Sequence, residues 1–99
     1  MIVVNAIVKS TAENIRALQE AINTMEIASR AEAGCQDYTF SVELNDPDVL
    51  RITEKWNSVE DLKAHFEEPH MAVFQQAMAD YPPASMDLKF YEVEEIQPF

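Results

Sequence analysis

Basic side chains are scarce in this chain: 7 Lys and Arg stand against 18 Asp and Glu, for a formal net charge of −11. The few cations are scattered singly, so no basic stripe exists to meet a phosphate backbone, and nucleic-acid binding is not expected. The same repulsion argues against attachment to an anionic membrane surface, and the plain consequence of the charge is colloidal solubility. Cysteine occurs once, at Cys35, which excludes an internal disulfide and any cysteine-based metal site. Glycine also occurs once and there is no low-complexity tract, which argues against a flexible tail or linker. Long apolar runs are missing too. The opening "MIVVNAIVKS" has no basic segment before it, is too short for a signal core and far too short to cross a bilayer. A cytoplasmic protein is expected.

What is present is a globular composition, 47% hydrophobic and 9% aromatic, in a length that allows a single domain over residues 1–99. A chain this short buries only about two-thirds of its unfolded surface, so a partner chain would help it. Residues 2–9, "IVVNAIVK", are β-branched and apolar on both faces, the mark of a strand covered on both sides. Ser10 with Glu13 three residues on reads as a capping box, and Ile15, Leu18, Ile22 and Met25 follow at helical spacing. Gly34 is placed where that helix would end in a left-handed turn. The segment 36–44, "QDYTFSVEL", alternates, "NDPD" (45–48) reads as a turn, and "ITEKW" lies on the returning strand of a β-hairpin. Ser58 caps a second helix with Asp61 as its acidic partner. Pro69 interrupts that helix and starts another at its first turn, with Phe74, Ala77 and Met78 inward. A last strand is expected over 86–95.

The order is β-α-β-β-α-β, a ferredoxin-like α+β fold. Right-handed crossovers place both helical segments on one face of an antiparallel sheet. The other face then has no cover within one chain. Assigning Val4, Ala6 and Val8 to that bare face, and Asn5 to the face under the helices, leads to a homodimer packed sheet to sheet.

The stretch "ITEKWNS" (52–58) poses the sharpest question. Strand alternation points Ile52, Glu54 and Trp56 the same way, with Leu50 upstream. A carboxylate among apolar neighbours is costly unless something pairs with it. Either a structural ion pair stands here or the edge of a working pocket.

Residues 53–74, "TEKWNSVEDLKAHFEEPHMAVF", resemble the antibiotic biosynthesis monooxygenase family: a Glu-x-Trp strand end (Glu54, Trp56), a Ser-capped helix (Ser58), a His (His65), then Pro69-His70 and the aromatic Phe74. Upstream, "AEAGCQDYTFSVELNDPD" (31–48) is similar to the family's glycine-cysteine strand and hairpin turn. The resemblance implies a dimeric α+β barrel and, among the family's activities, a cofactor-independent monooxygenase acting on a quinol or anthrone-like polyphenol with dioxygen. It also implies an Asn and a Trp in the site, at what correspond to Asn5 and Trp56. The family's haem-degrading branch needs a histidine where this chain has Gln75.

Cofactor-free oxygenation requires an apolar slot, donors aimed at a developing oxyanion and a base of suitable pKa. The expected catalytic set is therefore Asn5 and Trp56 to orient the substrate and stabilise its anion, with His65, His70 or Glu54 as base. Tyr38, Phe66 and Phe74 are expected to bind the small aromatic substrate. No cofactor is expected, and no metal either: five residues along one helix would set His65 and His70 roughly 140° apart. Two other readings stay open at this point. One is an isomerase of a small carbonyl metabolite using the same base and donors; the other is a non-catalytic dimeric module that binds a small ligand.

Overall fold

The computed structural model describes residues 1–99. Its order is β1 (Ile2–Lys9), α1 (Ala12–Ala17), α2 (Gln19–Arg30), β2 (Cys35–Glu43), β3 (Asp46–Trp56), α3 (Val59–Phe66), α4 (Pro69–Asp80) and β4 (Ser85–Glu92). The four strands form one antiparallel sheet in the order β2-β3-β1-β4. This is the ferredoxin-like α+β arrangement expected from the element order, with the helices on one face. No helix is long and apolar enough to cross a membrane.

Register decides which residues lie under the helices. Residues directly opposite in an antiparallel pair share a face, and Val4, Ala6 and Val8 oppose Glu54, Ile52 and Leu50. Val4 and Val8 are each only 1% exposed in the core that those β3 residues share with Ile15, Met25 and Leu62. Asn5 opposes Thr53 and is exposed on the other face. The expected parity of β1 is therefore reversed, and with it falls the argument that Val4, Ala6 and Val8 form a bare apolar surface. The bare face instead carries half-buried Val3 and Ile7 among exposed Asn5, Arg51, Asp87 and Lys89. Asn5 and Lys9 sit at the same parity, and that pair of polar residues was the available signal.

Several local expectations shift by a residue or two. The first helix is capped by Thr11, whose Oγ1 accepts from the Asn14 N–H at 3.1 Å, not by Ser10 with Glu13. Asp48 Oδ1 adds a second cap, accepting from the Ala12 N–H at 2.7 Å. The apolar stripe continues through a break at Leu18, whose N–H is shared between the Asn14 and Ile15 carbonyls. The hairpin turns at Leu44–Asn45, and Pro47 falls within β3 at a position that neither neighbouring strand pairs. There its missing N–H costs no ladder bond. Gly34 has no left-handed backbone. It is needed because Asp61 lies where a Cβ would stand, and Asp61 is held there by exchanging hydrogen bonds with Ser58, the cap of α3. Pro69 does begin α4, as expected from its place in the sequence. The last strand stops at Glu92, short of the expected 95.

Candidate functional site

Beneath β4 the helices do not close onto the sheet. A cavity of about 510 Å³ remains between the inner face of the sheet and α4. Helix α4 supplies Met71, Phe74, Gln75 and Met78, which recur at helical spacing. The inner parity of β4 supplies Met86, Leu88 and Phe90, while Phe66 comes from the end of α3. Apart from these apolar walls the cleft meets the Glu54 carboxyl, the Gln75 amide and the Tyr38 ring. Glu54 is the only carboxylic side chain in the lining, and no Lys or Arg reaches it.

The carboxylate of "ITEKWNS" has its partner, and the partner is not a cation. Trp56 Nε1–H donates to Glu54 Oε1 at 2.9 Å. One hydrogen bond from a neutral donor does not offset removal from water, so burial, with Glu54 only 7% exposed, pushes its carboxyl above the usual range. The indole bond and the neighbouring His65 pull the other way, and the charge of Glu32 adds to the rise. A carboxylate so placed binds a proton more readily than one in water.

Trp56 does not line the cleft. Its side chain is 0% exposed, edge-on to Tyr38 at 6.4 Å and tilted against His65 at 4.6 Å. The indole holds the Glu54 carboxylate instead of offering a face to a ligand, because the space around it is filled by these two rings. Asn5 is further away still, on the opposite side of the sheet, where it borders a polar depression with Arg51, Asp87 and Lys89. The expected convergence of Asn5 with Trp56 and Glu54 does not occur. Of the other sequence-derived candidates, Tyr38, Phe66 and Phe74 all reach the cleft. Burial drives the Tyr38 phenol well above its ordinary pKa, with the charges of Glu54 and Glu32 adding to the effect and the nearby Ser29 hydroxyl opposing it, so the phenol stays protonated.

The two histidines behave differently from a pair on one helix. Because the chain breaks between α3 and α4, His65 and His70 converge: Nδ1 of His65 and Nε2 of His70 lie 2.7 and 2.8 Å from the same oxygen, Glu32 Oε2. The expected separation of roughly 140° assumed an unbroken helical turn, which Pro69 prevents. Neither ring lines the cleft. His65 is fully buried and its Nε2 has no partner. Two residues were not among the expected site residues. Glu32 carries no local signal in "AEAGC", whereas Gln75 was legible as the residue after Phe74 and four after Met71 on the inward side of α4. Cys35 is a thiol pushed up to about 11 by burial and the nearby Glu32 charge, in keeping with an inert strand-start residue.

A four-stranded antiparallel sheet with helices on one face and an apolar cleft between them defines the chain as a small ferredoxin-like α+β protein. The chain belongs to the antibiotic biosynthesis monooxygenase family, whose model matches residues 1–77. Among solved structures, a Deinococcus radiodurans protein described provisionally as an antibiotic biosynthesis monooxygenase superposes with a TM-score of 0.89 at 23% identity, over 100% of this chain and 98% of that one. A Nitrosomonas europaea protein with the same provisional description gives 0.86 at 21% identity, over 94% and 98%. A Bacteroides thetaiotaomicron protein of unknown function, described as a possible oxidoreductase, gives 0.82 at 28% identity, over 93% and 96%. No curated protein matches the chain.

Proposed function

We propose that the protein is a cofactor-independent monooxygenase that oxidises a quinol or anthrone-like polyphenol with dioxygen, and that Glu54 is its base. The observation that carries this reading is a lone desolvated carboxylate facing an apolar cleft of about 510 Å³. Such a cleft takes an uncharged polycyclic phenol without leaving polar groups unpaired. Glu54 removes the acidic O–H or C–H proton. Its raised affinity for that proton narrows the gap to a weakly acidic substrate. The resulting anion passes one electron to dioxygen, and the radical pair joins into a peroxide anion that takes the proton back from Glu54 to become a hydroperoxide. For an anthrone, Glu54 then removes the remaining C–H proton as the O–O bond breaks and passes it to the departing hydroxide as water: CH2 plus O2 gives C=O plus H2O. The Gln75 amide, on the cleft wall, is the donor available to the substrate oxyanion. Trp56 acts through Glu54, as the residue that fixes its orientation.

The isomerase reading is disfavoured by one feature. A phosphorylated or otherwise anionic carbonyl metabolite would need a cation in the cleft, and none lines it. The assembly that accompanies the oxygenase reading is a homodimer in which a second copy covers the bare sheet face around Val3, Ile7 and Tyr91. Oxygen uptake with anthrone and with a naphthoquinol tests the function. Uptake well above autoxidation is expected, falling by about 10²–10⁴ in Glu54→Gln, where the amide oxygen still accepts the indole N–H. Uptake no faster than autoxidation with both substrates, or a fully active Glu54→Gln, would defeat the assignment.

A further inference from the structure

Away from the cleft, three donor atoms meet at the corner where the loop after α2 approaches the junction of α3 and α4. Glu32 Oε2 sits between Nδ1 of His65 and Nε2 of His70, and the three ligand atoms all lie within 4.8 Å of one another. We propose that Glu32, His65 and His70 form a binding site for a divalent transition-metal ion of the zinc class.

The donor set is what points to that class. Two imidazoles and one carboxylate suit Zn²⁺ and its first-row neighbours, with the remaining coordination positions left to water. Mg²⁺ and Ca²⁺ prefer an all-oxygen shell and are not accommodated. The geometry is close to prepared. With metal–ligand bonds of about 2.1 Å in a tetrahedral shell, adjacent ligand atoms stand about 3.4 Å apart, so the carboxylate oxygen, now 2.7 and 2.8 Å from the ring nitrogens, must draw back from each by about 0.6 Å. The ion takes the place of the protons in those contacts, which are released on binding. His65 is locked by the rings of Tyr38, Trp56 and Phe66 around it, and its only polar contact is Glu32, so no other bond competes for its orientation. The remaining adjustment falls to His70, which opens the first turn of α4. Entry is available, since the Glu32 and His70 side chains are 11% and 16% exposed. A net charge of −11 raises the local concentration of cations around the whole molecule. Neither histidine touches the cleft, so this site stands whether or not the oxygenase reading holds.

Calorimetric titration of the chelator-treated full chain with Zn²⁺, paralleled by the visible absorption of added Co²⁺, provides the test. One ion per chain is expected, with binding at least about tenfold weaker in His70→Ala and in Glu32→Gln, both variants keeping the wild-type circular dichroism. His65→Ala is avoided because that ring fills the core. Affinity weaker than about 1 mM, binding unchanged in His70→Ala, or displacement of Zn²⁺ by a modest excess of Mg²⁺ would overturn the site. The last two results would reduce it to diffuse attraction by surface carboxylates.

Discussion

Two halves of one sheet face are built from the same kinds of residue and end in opposite states. Under α2 and α3, Val4 and Trp56 are sealed to 1% exposure or less. Under α4, at the β4 edge, Met86, Leu88 and Phe90 remain 46%, 42% and 51% exposed around an open cavity. Composition does not separate them; helix placement does. Apolar side chains left half-wet in a small protein are a liability unless something else covers them, and Glu54 stands where the sealed half meets the open one. It is bonded backwards to Trp56 and faces forwards into the cleft.

That contrast can be broken by truncating one residue on each side. Trp56→Ala should cost about 3–5 kcal/mol of stability, from lost burial and the cavity left behind, besides freeing Glu54 from its donor. Phe90→Ala removes a ring already half in solvent and should cost far less in urea unfolding while weakening substrate binding. Similar costs for the two would mean that the open half is as tightly packed as the sealed one.

The boundary between the halves can be sharpened with pH. Glu54 has its folded pKa raised by burial, so the folded state binds the proton more tightly than the unfolded state. The unfolding free energy therefore falls as pH rises from the ordinary carboxylate range through the raised folded value. The Trp56 indole and the neighbouring His65 and Glu32 act on the same group. Glu54→Gln should remove this fall and be the more stable protein at neutral pH, as expected where an active group is held at a cost to the fold. Urea midpoints of wild type and variant across that range measure it, and parallel curves would refute the desolvation argument.

The smallest effect is expected from Asn5→Ala. Lying on the far side of the sheet, it should change turnover by no more than about twofold, the scale of an ordinary surface substitution. A large loss would mean that the bare face, not the cleft, holds the chemistry.

Much of the fold was legible because it depends on local pattern. The alternation in 36–44, the Ser58 cap with Asp61, and Pro69 at the start of a helix each rest on contacts a few residues apart. Tyr38, Glu54, Phe66 and Phe74 could be placed at the cleft for the same reason: strand parity and helical spacing carry them there. Asn5 was misplaced because an apolar strand reads nearly alike on both faces; the shared parity of Asn5 and Lys9 pointed the right way, and the pairing with Thr53 fixes it. The meeting of His65 and His70 was hidden by a rule valid only within a single helix. Glu32 was invisible, since a carboxylate in a loop acquires meaning only from what the loop is folded against.

The order of strands and helices, the excess negative charge and the presence of an acid beside a tryptophan were properties of the chain itself, set by periodicities of two and 3.6 residues. Which face of β1 lies inward, which half of the inner face stays open, and which carboxylate clasps the histidines were decided only in three dimensions. Each of these is fixed by pairing residues from 30 to 50 positions apart, as in Val4 with Glu54 and Glu32 with His65, and local pattern bears only on the first, through the shared parity of Asn5 and Lys9.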